Sequence, residues 1–122
     1  MLLVVLILSS NSLTIEINGQ EYTDTTYNNI LTEYGDDITT ITSIVVIEGS
    51  FKPDGFKKYT ALRKIIVPYE SFTGKILISW FRGLKSLVYV EFGGCTVLEE
   101  HSFDDCSSLE QVSLPYCTDI GN

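Results

Sequence analysis

Basic side chains are scarce in this sequence: eight Lys and Arg stand against sixteen Asp and Glu, with one histidine and a formal charge of −8. Phosphate backbones and anionic lipid headgroups collect cationic patches, so a chain of this charge is not expected to bind nucleic acid. Long hydrophobic runs are missing as well. The apolar run Leu2–Leu8 falls far short of the roughly 20 residues that cross a bilayer. No spanning segment is therefore expected, and no Asn-x-Ser/Thr glycosylation site occurs anywhere.

The residues that catalysis needs are equally thin. Gly93-Gly94 has no Lys-Ser/Thr behind it, as a phosphate loop requires, and no Gly-x-Ser-x-Gly elbow is present. His101 sits in Glu99-Glu100-His101, a solvated acidic patch, with no nucleophile that the sequence places beside it. The acid pairs Asp36-Asp37, Glu99-Glu100 and Asp104-Asp105 are adjacent in sequence, so on a strand their side chains diverge, and they match no calcium loop. Three cysteines, Cys95, Cys106 and Cys117, lack the close Cys-x-x-Cys pairing of zinc sites. The expectation is a non-enzyme with no catalytic residue, no metal and no cofactor.

What the chain does have is enough apolar material for one folded domain, 44% hydrophobic against 20% charged. Residues 1–12 form the first unit. The run Leu2–Leu8 followed by Ser9, Ser10, Asn11 and Ser12 has the length and small-residue tail of a signal peptide, yet no basic residue precedes it. A buried strand is the other reading, and the residues leave both open. A cleaved Met1–Ser12 places the protein outside the cell or at its surface; otherwise it is cytoplasmic.

In residues 13–40, LTIEINGQEY reads as a hairpin turning at Asn18-Gly19, with Ile15 opposite Tyr22 and Glu16 opposite Glu21. A polar stretch from Thr23 to Asn29 follows. Ile30, Leu31 and Tyr34 then predict one or two helical turns stopped at Gly35.

From residue 41 onward the sequence repeats itself. FKKYTALRKIIVP from Phe56, FRGLKSLVYVEFG from Phe81 and FDDCSSLEQVSLP from Phe103 share the frame Phe-x-x-apolar-x-x-Leu-x-x-Ile/Val-x-apolar. Leu62, Leu87 and Leu109 mark it, with Ile41 one unit earlier, and Phe51, Ile76 and Leu98 stand five residues before each Phe. Ile120 would serve a next unit that stays incomplete. The longer first spacing is ascribed to a surface loop within Tyr69–Lys75. Trp80, unique in the chain, is expected to pack across that loop, the other reading being an exposed anchor for a partner. Such a period is the mark of a solenoid, whose coils bury their apolar faces only against one another.

FDDCSSLEQVSLP, through Phe103, Cys106, Leu109, Val112, Leu114 and Pro115, resembles the repeat of BspA-like leucine-rich-repeat proteins, a surface-antigen type. The two other segments are looser copies. The resemblance implies an α/β-type solenoid of about three to four leucine-rich coils with a short parallel sheet on its concave side. Residues 13–40 would form an N-terminal hairpin cap, and residues 41–122 the repeats, the last incomplete and the C-terminus truncated. It further implies a non-catalytic protein-binding or adhesion module. The alternative is a structural or degenerate repeat fragment with no ligand of its own, inside the cell.

Within that frame, strand residues between the buried ones point outward, so Lys64, Ile66, Tyr89, Glu91, Gln111 and Ser113 are the candidate contacts for a protein ligand. Cys106 takes a core position. Cys95 and Cys117 share a repeat position one ladder step apart, about 4.8 Å, which makes them a candidate disulfide in an exported chain. Leu109, Val112 and Leu114 lack a following coil as cover, so self-association through an uncapped C-terminal edge is expected.

Overall fold

A computed structural model describes residues 12–121. The apolar run Leu2–Leu8 and its signal-peptide reading lie outside the described residues.

Strands β1 (Leu13–Ile17) and β2 (Gln20–Thr25) pair antiparallel, with Ile15 facing Tyr22 and Glu16 facing Glu21. Asn18 and Gly19, both at positive φ, make the turn between them. Asn18 does more than turn the chain. Its Oδ1 accepts the backbone N–H groups of Thr42 at 2.8 Å and Ser43 at 3.1 Å, anchoring the hairpin to the first coil. The polar stretch expected after Tyr22 is partly strand, because β2 runs on to Thr25 beside Leu13. Thr26 then caps helix α1 (Tyr27–Tyr34), accepting the Asn29 N–H, and Gly35 at φ 51 ends it. A 3-10 helix, Gly35–Thr40, leads into the coils.

The coils form a β-solenoid of about four turns. Strands β3 (Ser43–Glu48), β4 (Lys64–Val67), β6 (Tyr89–Phe92) and β8 (Gln111–Ser113) stack in parallel, and β1 and β2 extend the same sheet beyond β3. A second parallel sheet of β5 (Gly74–Ile76), β7 (Cys95–Leu98) and β9 (Asp119–Ile120) makes another wall. The position five residues before each Phe thus belongs to a ladder, Ile76 to Leu98 to Ile120.

The α/β-type expectation is corrected here: α1 precedes the coils, and no coil among the described residues contains an α-helix. The reason lies in the repeat spacing. Phe, the next apolar residue and Leu stand three apart, and each donates its N–H to the one before: Tyr59 to Phe56, Leu62 to Tyr59, Leu84 to Phe81 and Leu87 to Leu84. Three residues per turn keep all three side chains on one side, whereas 3.6 per turn would rotate them off it.

Those side chains fill the interior. Phe56, Phe81 and Phe103 stack face to face with centroids 5.0 Å apart at each step and planes 10° from parallel. Leu62 and Leu87 are fully buried beside them, as are Ile65, Val67, Val90 and Phe92 from the sheet. Trp80 is buried against Phe56, Phe72 and Phe92. The Tyr69–Lys75 segment is less superficial than its sequence suggests. Ser71 is buried and its carbonyl accepts the Phe51 N–H, while Phe72 packs on Trp80 and Tyr69, Glu70, Thr73 and Lys75 are exposed.

Phe81→Ala should cost roughly 3–5 kcal/mol in denaturant unfolding, and Phe103→Ala distinctly less, because Phe103 is only half-buried. Equal losses would contradict the stacked interior.

The Tyr27 and Tyr59 hydroxyls hydrogen-bond to each other in the core. Burial pushes both phenols up, Tyr59 to about 12 from an ordinary 10.0. Folding therefore favours the protonated forms. Their contribution is intact below pH 10 and is lost as pH climbs through about 12. Unfolding free energy measured across that window should fall, and fall less steeply when both residues are replaced by Phe.

Candidate functional site

The strand register decides which side chains share the outer face of the sheet. Ser43, Lys64, Tyr89 and Gln111 are aligned in one column, and Val45, Ile66, Glu91 and Ser113 in the other. Their neighbours Ile44, Ile65 and Val90 point inward and are buried, so period-two alternation turns these two columns to solvent. Lys64 and Gln111 are exposed; Ile66, Tyr89, Glu91 and Ser113 are half-buried. Ile47, 45% exposed, stands two residues beyond Val45 on β3, and Glu16 of β1 lies beside Val45.

One contact orders the middle of the face. The Tyr89 hydroxyl donates to Glu91 Oε1 at 2.8 Å. That bond to a carboxylate pushes the Tyr89 phenol above its ordinary value, with partial desolvation and the Glu91 charge acting in the same direction. The ring is thereby held beside Lys64 and Gln111, the arrangement of a pre-ordered aromatic contact. Nothing in these columns pairs a nucleophile with a base. What they offer is shape, an apolar centre and two charges of opposite sign.

An aromatic pair that the repeat frame contains, but that was not singled out from sequence, stands at the C-terminal ends of β4 and β8. Tyr69 and Tyr116 occupy the same repeat position two coils apart, 54% and 60% exposed, with ring centroids 5.0 Å apart. They meet because the coil between them has Gly93-Gly94 there. A Cβ on Gly93 would lie 2.7 Å from the Tyr69 backbone nitrogen, and one on Gly94 would overlap the Phe72 carbonyl oxygen. The alignment of Pro68-Tyr69, Gly93-Gly94 and Pro115-Tyr116 was the available signal.

The cysteines divide into a pair and a single. Cys95 is buried and Cys117 half-buried, both thiols are free, and each donates to a backbone carbonyl two residues on, Cys95 to Val97 at 3.4 Å and Cys117 to Asp119 at 3.3 Å. Cys106 is apart from them, its Sγ donating to the Phe81 carbonyl at 2.9 Å. His101 is half-exposed, with Nδ1 2.8 Å from Asp104 and Nε2 3.5 Å from Glu100. Among the described residues no His, Cys, Asp and Glu side chains gather in a group that could hold a metal ion. No helix of the described residues is long and apolar enough to cross a membrane.

A cleft of about 740 Å³ lies off the sheet face, between α1 with its following 3-10 helix and the Phe56 turn, with Asp36, Asp54, Lys57 and Lys58 on its walls. Charge is zoned along the solenoid. All eight Lys and Arg fall between Lys52 and Lys85, whereas residues 12–48 and 99–121 carry seven and six acids with no Lys or Arg. No protein-family model matches the chain, and neither does any curated protein or solved structure.

Glu91→Gln should lower the Tyr89 phenol towards its ordinary value, read as the difference in ultraviolet tyrosinate titration between each protein and its Tyr89→Phe counterpart. An unmoved titration would mean that the Tyr89–Glu91 bond does not persist in solution.

Proposed function

We propose that this chain is a non-catalytic protein-binding or adhesion module of the BspA-like leucine-rich-repeat type, working outside the cell or at its surface. In this reading residues 41–122 are the repeats, residues 13–40 cap their N-terminal end, and the sheet's outer face is the concave binding surface. The observation that carries it is the pair of in-register columns with Lys64, Ile66, Tyr89, Glu91, Gln111 and Ser113 at their centre. Repetition sets them at even spacing on a rigid sheet, so a partner meets an ordered array at little entropic cost. Tyrosine beside aliphatic and charged groups is the composition that protein interfaces favour.

The same reading gives the C-terminal edge a role. Val112 and Ile120 are 38% and 64% exposed, and Leu109 and Leu114 are half-buried, so a second copy could cover them.

A second reading, a structural spacer or degenerate fragment without a ligand, has one observation in its favour. Three clefts among the described residues are lined by none of the side chains of the two outer columns. The two readings part in one experiment. A photo-crosslinker at Tyr89, with a control at exposed Lys85, is used to capture a partner from cells, and binding is then remeasured with purified components. Tyr89→Ala and Ile66→Ala should each weaken that binding by on the order of tenfold while leaving the circular-dichroism spectrum unchanged. Purified binding that ignores both substitutions would remove the face assignment and leave the spacer.

A further inference from the structure

We propose that Cys95 and Cys117 are a redox-closed staple: a low-molecular-weight disulfide such as oxidised glutathione converts them into an intramolecular disulfide that locks the coil of residues 99–121 to its predecessor. This inference does not depend on what the outer face binds.

The placement comes from the second sheet. β7 and β9 run parallel with Val97 beside Asp119 and Leu98 beside Ile120, and the Thr118 N–H donates to the Thr96 carbonyl at 3.0 Å. Carried back two residues from Val97 and Asp119, that register sets Cys95 beside Cys117. Neighbouring strands lie about 4.8 Å apart, inside the Cα range of roughly 4.4–6.8 Å that a disulfide spans. Both thiols make the same local contact, each donating to the carbonyl two residues further along its own strand, Val97 for Cys95 and Asp119 for Cys117. Cys106 does not compete, because its Sγ is bound to the Phe81 carbonyl in a different part of the coil.

The two thiols differ in access, and this orders the chemistry. Cys117 is half-buried and reachable, whereas Cys95 has no exposed surface. The Cys117 thiolate attacks one sulfur of oxidised glutathione, forming a mixed disulfide and releasing one glutathione thiolate. Cys95 then gives up its proton and attacks the Cys117 sulfur, expelling the second glutathione thiolate. The two thiol protons end on the two glutathione molecules, and the protein pair is oxidised by two electrons as glutathione disulfide is reduced. Burial pushes the Cys95 thiol up, so little of it is thiolate and its attack on the mixed disulfide is the slower of the two steps.

The consequence follows from where the bond sits. The coil of residues 99–121 is the least covered, with Val112 and Ile120 exposed and Phe103, Leu109 and Leu114 only half-buried. Segments with few buried apolar contacts open first. A cross-link from β7 to β9 restrains the open form of that coil more than its closed form.

The test uses the full chain, purified reduced and then incubated with oxidised glutathione. Intact mass should fall by two hydrogens, one of the three thiols should remain titratable after denaturation, and the peptide map should join Cys95 to Cys117. The melting temperature should rise by on the order of 10 °C, hydrogen exchange should slow in β8 and β9, and reductant should reverse both. Cys106→Ser should behave like the parent, and Cys117→Ser should show neither effect. A bond through Cys106, a bond between molecules, or three surviving thiols each overturns the pairing. A Cys95–Cys117 bond that leaves exchange in β8 and β9 unchanged overturns the stapling. The parent chain alone decides these outcomes, so a variant that fails to fold leaves the conclusion intact.

Discussion

Three phenylalanines set the geometry of this molecule. Phe56, Phe81 and Phe103 stack at 5.0 Å per step, close to the distance between neighbouring strands, so aromatic packing on one wall and backbone hydrogen bonding on the other demand the same rise. The agreement is what lets each coil lie flat on the next. Every other repeated contact inherits it: Leu62 over Leu87, the donation from Arg63 to the Thr42 carbonyl, and the matching one from Val88 to the Arg63 carbonyl. A coil that lost its ring would have to tilt, and the sheet register would shift with it.

The parts of the fold that were legible beforehand were those governed by periodicity. Alternation at Ile65 and Val67, or Val90 and Phe92, needs only the two-residue repeat of a strand, and Asn18-Gly19 needs only the backbone of a tight turn. The second sheet was harder to read. Its strands are three, four and two residues long, too short to show alternation, and only the recurrence of Ile76, Leu98 and Ile120 marked them. The return limb was expected to be of α/β type because the family it resembles suggested so. The spacing of three between Phe, the middle apolar residue and Leu contained the other answer. Asn18 as an anchor for Thr42 and Ser43 could not have been read at all, since that contact depends on where the hairpin folds back.

The outer face was legible for the same reason as the core, being its complement in a two-residue alternation. Its finer order was not. The Tyr89–Glu91 bond joins residues two apart on one strand face, and the Tyr69–Tyr116 contact crosses an intervening coil, so both depend on rotamers rather than on spacing alone. Gly93-Gly94 illustrates the difference. As a motif it was empty of phosphate chemistry, and as a piece of packing it removes the side chains that would hold two tyrosines apart.

The zoning of charge along the stack has a consequence for how whole molecules meet. Among the described residues, segments 12–48 and 99–121 carry acids without Lys or Arg and every Lys and Arg lies between them, so a quadrupolar pattern is superimposed on the net charge of −8. Contacts between two acidic segments are repulsive, so a second copy that covers Val112 and Ile120 meets the least repulsion by presenting its Lys- and Arg-bearing middle. Over a screening distance of about 8 Å at physiological ionic strength, neighbours therefore favour crossed, T-like arrangements over columns, and added salt erases the preference.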